Sequence, residues 1–525
     1  MRRLLVTALA LAAISPTAGA QTLFHEDFEG AKPLDGWGGN AGEIIEVDGG
    51  HVLHIIQPAG DEPPESAIAT LSLPAEELRG KRITLRGRVR AEGLSAKPND
   101  WNGVKVMLVL EVGEGREYPQ LDLLSGSFPW GESFRVIRAP EELTAATLVL
   151  GLELVSGEAW FDEIMITEGS GIWDQGQRQA ERFKGHDVER LRGAMHGPNF
   201  VEEDFRALVE DFGANHIRWQ LNWVPMKEAE DWAQDLEAYD AWLAEALEDC
   251  DRAVALAEEL GVLLLVDLHT PPGGRADGGV CRMFQERPYQ EKLLEAWDII
   301  ARRYAGRTAV WAYDLINEPV EGIVADGCMD WRALATAATD VIRAVDPGKP
   351  VLVEPSPWGG PDGFETLVPL DREGVIYGFH MYLPHRFTHQ GVGDSPMGFS
   401  YPGEIDGRQW DKEALREAMG AAAEFQERFN VHIHVGEFSA IRWAPENSAY
   451  RYLRDVIELF EEHGWTAPTT LDELTALGAA MQEAGITPFA FGNDGRWPAM
   501  GTFDQLNFRL NGYQFHVDLM AGRES

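Results

Sequence analysis

The chain has 525 residues, enough for two or three hydrophobic cores at roughly 100–200 residues per domain. Hydrophobic residues make up 44% and charged residues 25%, which excludes a fibrous or wholly disordered chain. With 86 acidic against 45 basic residues the formal net charge is −41, a field that repels nucleic acid and anionic membranes but does not oppose a neutral polymer. A polysaccharide partner is compatible; nucleic acid and membrane partners are not.

At the N-terminus Arg2 and Arg3 precede the apolar run LLVTALALAA, and AGA ends at Ala20. A basic stretch, a short apolar stretch and a small-residue site predict a signal peptide over 1–20 and a secreted or periplasmic protein. From about Thr22 to Thr167 hydrophobicity alternates with period two. In RITLRGRVRAEGL, Ile83, Leu85 and Val89 alternate with Arg86, Arg88 and Arg90, and Leu148, Leu150, Leu152 and Leu154 share one face. Such strands, parted by Gly- and Pro-bearing turns, predict a β-sandwich over 21–168. Its Trp37, Trp101 and Trp130 read as core in preference to sugar-stacking surfaces, and Asp27 with Asp162 is the candidate site for a structural calcium. No other cofactor is expected.

A polar linker, 169–184, leads into a different pattern. Short apolar strands are predicted at 191–197, 215–221, 261–269, 310–319, 350–356, 374–382 and 432–439, with helical stretches between them. Seven βα units over 185–465 predict a (β/α)8 TIM barrel and a multidomain chain, expected to be monomeric. Polar residues gather where the strands end: Arg218, His269, Asn317, Glu318, His380, Tyr382 and Glu437. A barrel brings those ends to one face.

Two carboxylates in such a pocket suit a retaining glycosidase, which needs a protonated acid and an ionised nucleophile about 5–5.5 Å apart. Glu318 is the candidate acid/base and Glu437 the candidate nucleophile, with Arg218 keeping Glu437 ionised, Asn317 facing a sugar hydroxyl and Tyr382 orienting Glu437. Trp219, Trp223, Trp358 and Trp443 lie just beyond strand ends and are read as sugar-stacking platforms rather than core. His432 and His434 sit two apart on one strand, and period-two parity turns them away from Glu437 towards the helices, as structural residues and not metal ligands. No metal site is expected in the barrel. Cys281 and Cys328 fall in loops at the same end and are a candidate disulfide, whereas Cys250 reads as buried in a helix.

YDLINEP and HVGEF, together with the Arg in NHIRW, the His in VDLH and the HMY triplet, resemble glycoside hydrolase family 5 over about 185–465. The resemblance implies that Glu318 is the acid/base and Glu437 the nucleophile, with Arg218, His269, Asn317, His380 and Tyr382 in support. It also implies cleavage of internal β-1,4 bonds in glucans, mannans or related polymers without a cofactor, and cellulose or another β-glucan is the expected substrate. The segment 21–168 resembles carbohydrate-binding modules.

After Trp465 the sequence departs from that family. The stretch PTTLDEL, then AGITPFAFG and RWPAM, resembles part of an extracellular solute-binding protein of a sugar transporter, over 466–525. Either a junction near Trp465–Pro468 has replaced the eighth strand, the favoured reading, or PFAFGN is that strand with Trp497 as its aromatic. The barrel is therefore expected to have an atypical or missing eighth strand. That leaves an alternative to the enzyme: a non-catalytic glycan-binding protein with a disabled barrel.

Overall fold

The computed structural model describes residues 21–463 except 61–63, 100, 170–175, 224–232 and 394. The predicted signal peptide and the 466–525 tail, including Trp497, lie outside the described residues.

Two antiparallel sheets face each other in the N-terminal region. One runs Trp37–Gly39, Ala67–Leu73, Leu143–Glu153, Gly103–Val112, Gly115–Glu117; the other is built on Phe128–Arg138, Arg82–Glu92, Gly157–Glu168 and Gly50–Gln57. The alternating pattern is spent as anticipated. Ile83, Leu85, Val89, Leu148, Leu150 and Leu152 are fully buried between the sheets, and Leu154, just past its strand, is exposed. Trp101 is exposed as well, while Trp37 packs against the core. Asp162 accepts from the Glu163 amide at 2.9 Å and faces Arg88 at 3.7 Å, so a calcium at Asp27 and Asp162 would have to displace a cation already in place.

All seven predicted barrel strands form, in parallel and in chain order: Gly193–His196, His216–Gln220, Leu263–Asp267, Val310–Asp314, Val351–Val353, Val375–Met381 and Ile433–Phe438. Among the described residues the first and seventh each pair on one side alone. The connecting helices carry the start and stop signals of their sequence. Leu236–Leu260 is capped by the Asp235 carboxylate, which accepts from two backbone amides, and ends on left-handed Gly261. Side chains facing these helices, such as Ile217, Val266, Tyr313, Tyr377 and Phe379, form the main core. No described helix is long and apolar enough to cross a membrane.

The floor of the barrel corrects the parity argument for His432 and His434. Both are buried, but they turn inward. His434 packs edge-on against His216 at 5.3 Å and Trp311 at 5.4 Å, and His432 faces His186 at 6.4 Å. The pairing with the sixth strand steps from Phe379–Val435 to His380–Glu437, so Gly436 is an extra residue. This bulge puts His434 and Glu437 on the same side despite their odd spacing. A Cβ there would stand 3.0 Å from His380 Nε2, so any larger residue would press on that imidazole.

The expected disulfide is absent. All three cysteines are free thiols: Cys281 is wholly buried in the core under the barrel helices, while Cys328 lies half-buried in a loop where burial pushes its thiol up to about 11.

The sandwich and barrel are not beads on a string. Val324–Ala325, from the loop after the fourth barrel strand, pairs with Glu132 and Gly131 and becomes an edge strand of the sandwich. Val280, Val320 and Ile323, all barrel residues, are buried in the sandwich core. The linker is likewise docked: the Gln179 amide donates to the Phe429 carbonyl at 2.8 Å, and Arg178 reaches the end of the same helix.

Candidate active site

Each candidate polar residue sits where its strand ends. Arg218 is wholly buried and gathers four carboxylates. Its Nη1 donates to Glu437 Oε1 at 2.6 Å and lies 3.2 Å from Asp267 Oδ2. Its Nη2 donates to Asp314 Oδ2 at 2.9 Å, Glu354 Oε1 at 3.0 Å and Asn317 Oδ1 at 3.1 Å. Holding Asn317 by its oxygen leaves the amide nitrogen as its free-facing donor.

Glu437 also accepts from the Tyr382 hydroxyl at 3.0 Å. Burial alone would raise its carboxyl, but the charges of His380, Arg218 and His269, with the Tyr382 hydroxyl, hold it down to about 2. His269 is steered by Asp267, whose carboxylate lies 2.8 Å from Nδ1.

Glu318 lies across the pocket, its Oε1 2.8 Å from His380 Nδ1. Its backbone has φ of +49°, the left-handed region that a side chain rarely adopts. Two side chains hold it there through three hydrogen bonds. The Glu318 amide donates to Glu354 Oε2 at 2.8 Å, and Arg275 donates to the carbonyls of Asn317 and Glu318, both at 2.9 Å. Burial opposes a charge on His380, yet the carboxylates of Glu354, Glu437 and Glu318 raise it well above the ordinary imidazole value. Its Nε2 lies 3.0 Å from Glu354 Oε1, poorly aligned for a hydrogen bond. Burial and the charge of Glu354 push Asp314 well up, consistent with an Oδ1 that meets no donor.

One donor atom each from Glu318, His380 and Glu437 all lie within 4.8 Å of one another, the one such trio of His, Cys, Asp and Glu among the described residues. The sequence reading missed Asp267, Asp314 and Glu354. Their signal was available: each is an acidic residue in or just after an apolar strand, in LLLVD, VWAYD and VLVE.

The aromatic candidates divide. Trp358 and Trp443 are 45% and 41% exposed, with Arg275 over the Trp358 ring at 5.1 Å. Trp219 is a correction: it is wholly buried beneath the helices and stacks on His196 at 5.2 Å. Arg218 points inward, so its neighbour on the strand must point out. Trp223 packs edge-on against Trp242 at 6.2 Å.

The family model for cellulase (glycosyl hydrolase family 5) matches residues 176–465, more than half of the chain. The chain belongs to glycoside hydrolase family 5. It is thus a glycoside hydrolase whose catalytic domain is the barrel. Among curated relatives, Endoglucanase C of Acetivibrio thermocellus is 25% identical over 294 residues, covering 51% of this chain and 82% of that protein. Cellodextrinase A of Ruminococcus flavefaciens is 24% identical over 271 residues, covering 51% and 76%. A solved endoglucanase of Thermotoga maritima is 21% identical with a TM-score of 0.39, covering 54% of this chain and 89% of that one, a likeness too low to argue from.

Proposed function

We propose that this family 5 member is a secreted, retaining endo-β-1,4-glucanase in which Glu437 is the nucleophile and Glu318 the acid/base. The carrying observation is the approach of the two carboxyl groups, with oxygens within 4.8 Å. Retaining enzymes need about 5–5.5 Å, whereas an inverting pair stands wide enough to admit a water, about 6.5–9.5 Å. The electrostatics support the same assignment: a carboxyl held to about 2 is ionised at any pH well above that value, as a nucleophile must be.

In the first step Glu437 attacks the anomeric carbon as the glycosidic C–O bond breaks, and Glu318 gives its proton to the departing oxygen. Glu437 is then an ester, and its charge no longer faces Glu318. In the second step Glu318 takes a proton from water, the hydroxyl attacks the same carbon and Glu437 leaves as carboxylate. Two inversions give net retention. Tyr382 and Arg218 hold Glu437 in line, and Trp358 and Trp443 offer rings to sugars on either side. Glucan is favoured over mannan because the named relatives are an endoglucanase and a cellodextrinase. The sandwich is proposed to bind glycan, with exposed Trp101 as its aromatic surface.

A reducing-sugar assay on a panel of β-glycans, with proton NMR of the first product formed, tests the reading. Initial release of the β-anomer from β-glucan is expected, and Glu437→Ala and Glu318→Gln should each lower kcat by about 100-fold or more. An α-anomer would exclude the retaining mechanism; polysaccharide binding without any turnover would make the protein a lectin-like one instead.

A further inference from the structure

The segment after Glu318 leaves the barrel at once and enters the sandwich. Val320, two residues on, is buried in the sandwich core together with Ile323. The Gly322 carbonyl accepts from Ser133 Oγ at 2.9 Å, Val324 and Ala325 pair with Glu132 and Gly131, and the Asp326 amide donates to the Trp130 carbonyl at 2.9 Å. Arg88, seated over the Trp130 ring, closes the strap with an ion pair to Asp326 at 2.5 Å. The loop on the other side of Glu318 is fixed by the same contacts. Val280 enters the sandwich core, the Cys281 amide donates to the Val320 carbonyl at 2.9 Å, and Arg275 of that loop holds the Glu318 carbonyl.

A left-handed glutamate persists only where its surroundings over-determine it. Inside the barrel Glu318 has Glu354 and Arg275 for this purpose, and the loop that carries Arg275 is pinned both by Arg282, which donates to the Arg275 carbonyl, and by Val280 in the sandwich core. We infer that the N-terminal sandwich is a positioning part of the active site: by gripping residues 320–326 it keeps the Glu318 backbone left-handed and so aims the acid/base carboxyl. Gly131, Ser133 and Arg88 are positioning residues that act through the strap. This rests on the assignment of Glu318 as the acid/base. The substrate preference that follows is specific. A misaimed acid harms substrates whose leaving oxygen needs a proton and spares those whose leaving group departs without one.

Gly131→Leu in the full chain is the test. A Cβ there would meet the Val324 carbonyl oxygen at 2.5 Å and Ile323 Cγ1 at 2.8 Å, so the strap and the strand it pairs with must part at this point. The readout is kcat/KM, which reports the bond-breaking step, on phenyl and dinitrophenyl β-cellobiosides. The phenyl glycoside should lose about tenfold or more and the dinitrophenyl glycoside less than about threefold. Equal losses on both, or no loss on either, overturn the inference. Should Gly131→Leu fail to fold, Asp326→Ala removes the Arg88 clamp alone, and the same split at smaller amplitude is required. If the unmutated protein hydrolyses neither glycoside, the glucanase reading is what fails. Amide hydrogen exchange across residues 316–322 then decides the joint by itself, with faster exchange in the variant expected and unchanged exchange overturning it.

Discussion

Arg218 is the residue on which the pocket's charge balance turns. It is one guanidinium among Asp267, Asp314, Glu354 and Glu437, all buried. Removing it leaves carboxylates in low dielectric without compensation, so Arg218→Ala should cost about 3–5 kcal/mol in urea unfolding and abolish activity. Arg218→Lys should fare little better, since one ammonium cannot reproduce the fork of contacts. The sign for Glu437 follows from its depressed value, about 2 against an ordinary 4.5. Its charge stabilises the folded state fully above pH 4.5, and that contribution is lost as pH falls through 2. The acid limb of a kcat/KM profile should therefore lie well below 4.5; a limb at or above that value would contradict the assignment. Glu318, Glu437 and their partners were legible because each sits beside a strand end that apolar runs announce. Asp267, Asp314 and Glu354 are hidden because the apolar runs predict strands on to 269, 319 and 356, whereas the strands end at Asp267, Asp314 and Val353, so these end residues read as strand interior.

At the scale of single elements, period-two reasoning located all seven described barrel strands but misjudged which side chains face in. It holds only for unbroken strands. The seventh carries the extra Gly436, and the fourth steps in register around Trp311, so both place residues of mixed parity inside the barrel. The floor that results is a cluster of neutral imidazoles. Burial pushes His216 and His432 down to about 3 and His434 well below the ordinary imidazole value, with Lys184, Arg182 and Arg218 adding to the effect, while Asp187 pulls the other way on His186. For a lowered histidine the unfolded chain binds the proton first. Stability is therefore full above pH 6.5 and falls as pH drops from there towards about 3. Acid titration of the melting temperature should show this slope, and His216→Phe should make it shallower. Trp219 and Trp358 separate core from rim in the same way. Trp219→Ala should cost about 3–5 kcal/mol with KM for soluble substrate unchanged, and Trp358→Ala should raise KM several-fold with little loss of stability. The reverse pattern would return Trp219 to the cleft.

For the whole molecule, composition and periodicity divide the chain into sandwich and barrel, yet they hide how the two are joined. A strand of two residues, Val324–Ala325, has no periodicity to detect, and its partner lies almost 200 residues earlier in the chain. Long-range pairing of that kind leaves no local trace. Expressing residues 176–525 without the sandwich should yield a protein prone to aggregate, because Val280, Val320 and Ile323 would be bared beside an unpaired strand. Gel filtration and light scattering would check this, and a monodisperse product would argue against it. The shared strand also bears on descent. Modules that meet only through a linker can be shuffled between proteins like beads. A sandwich that borrows a strand from the loop following Glu318 cannot be exchanged alone: a replacement would leave Val324–Ala325 without the edge it pairs with.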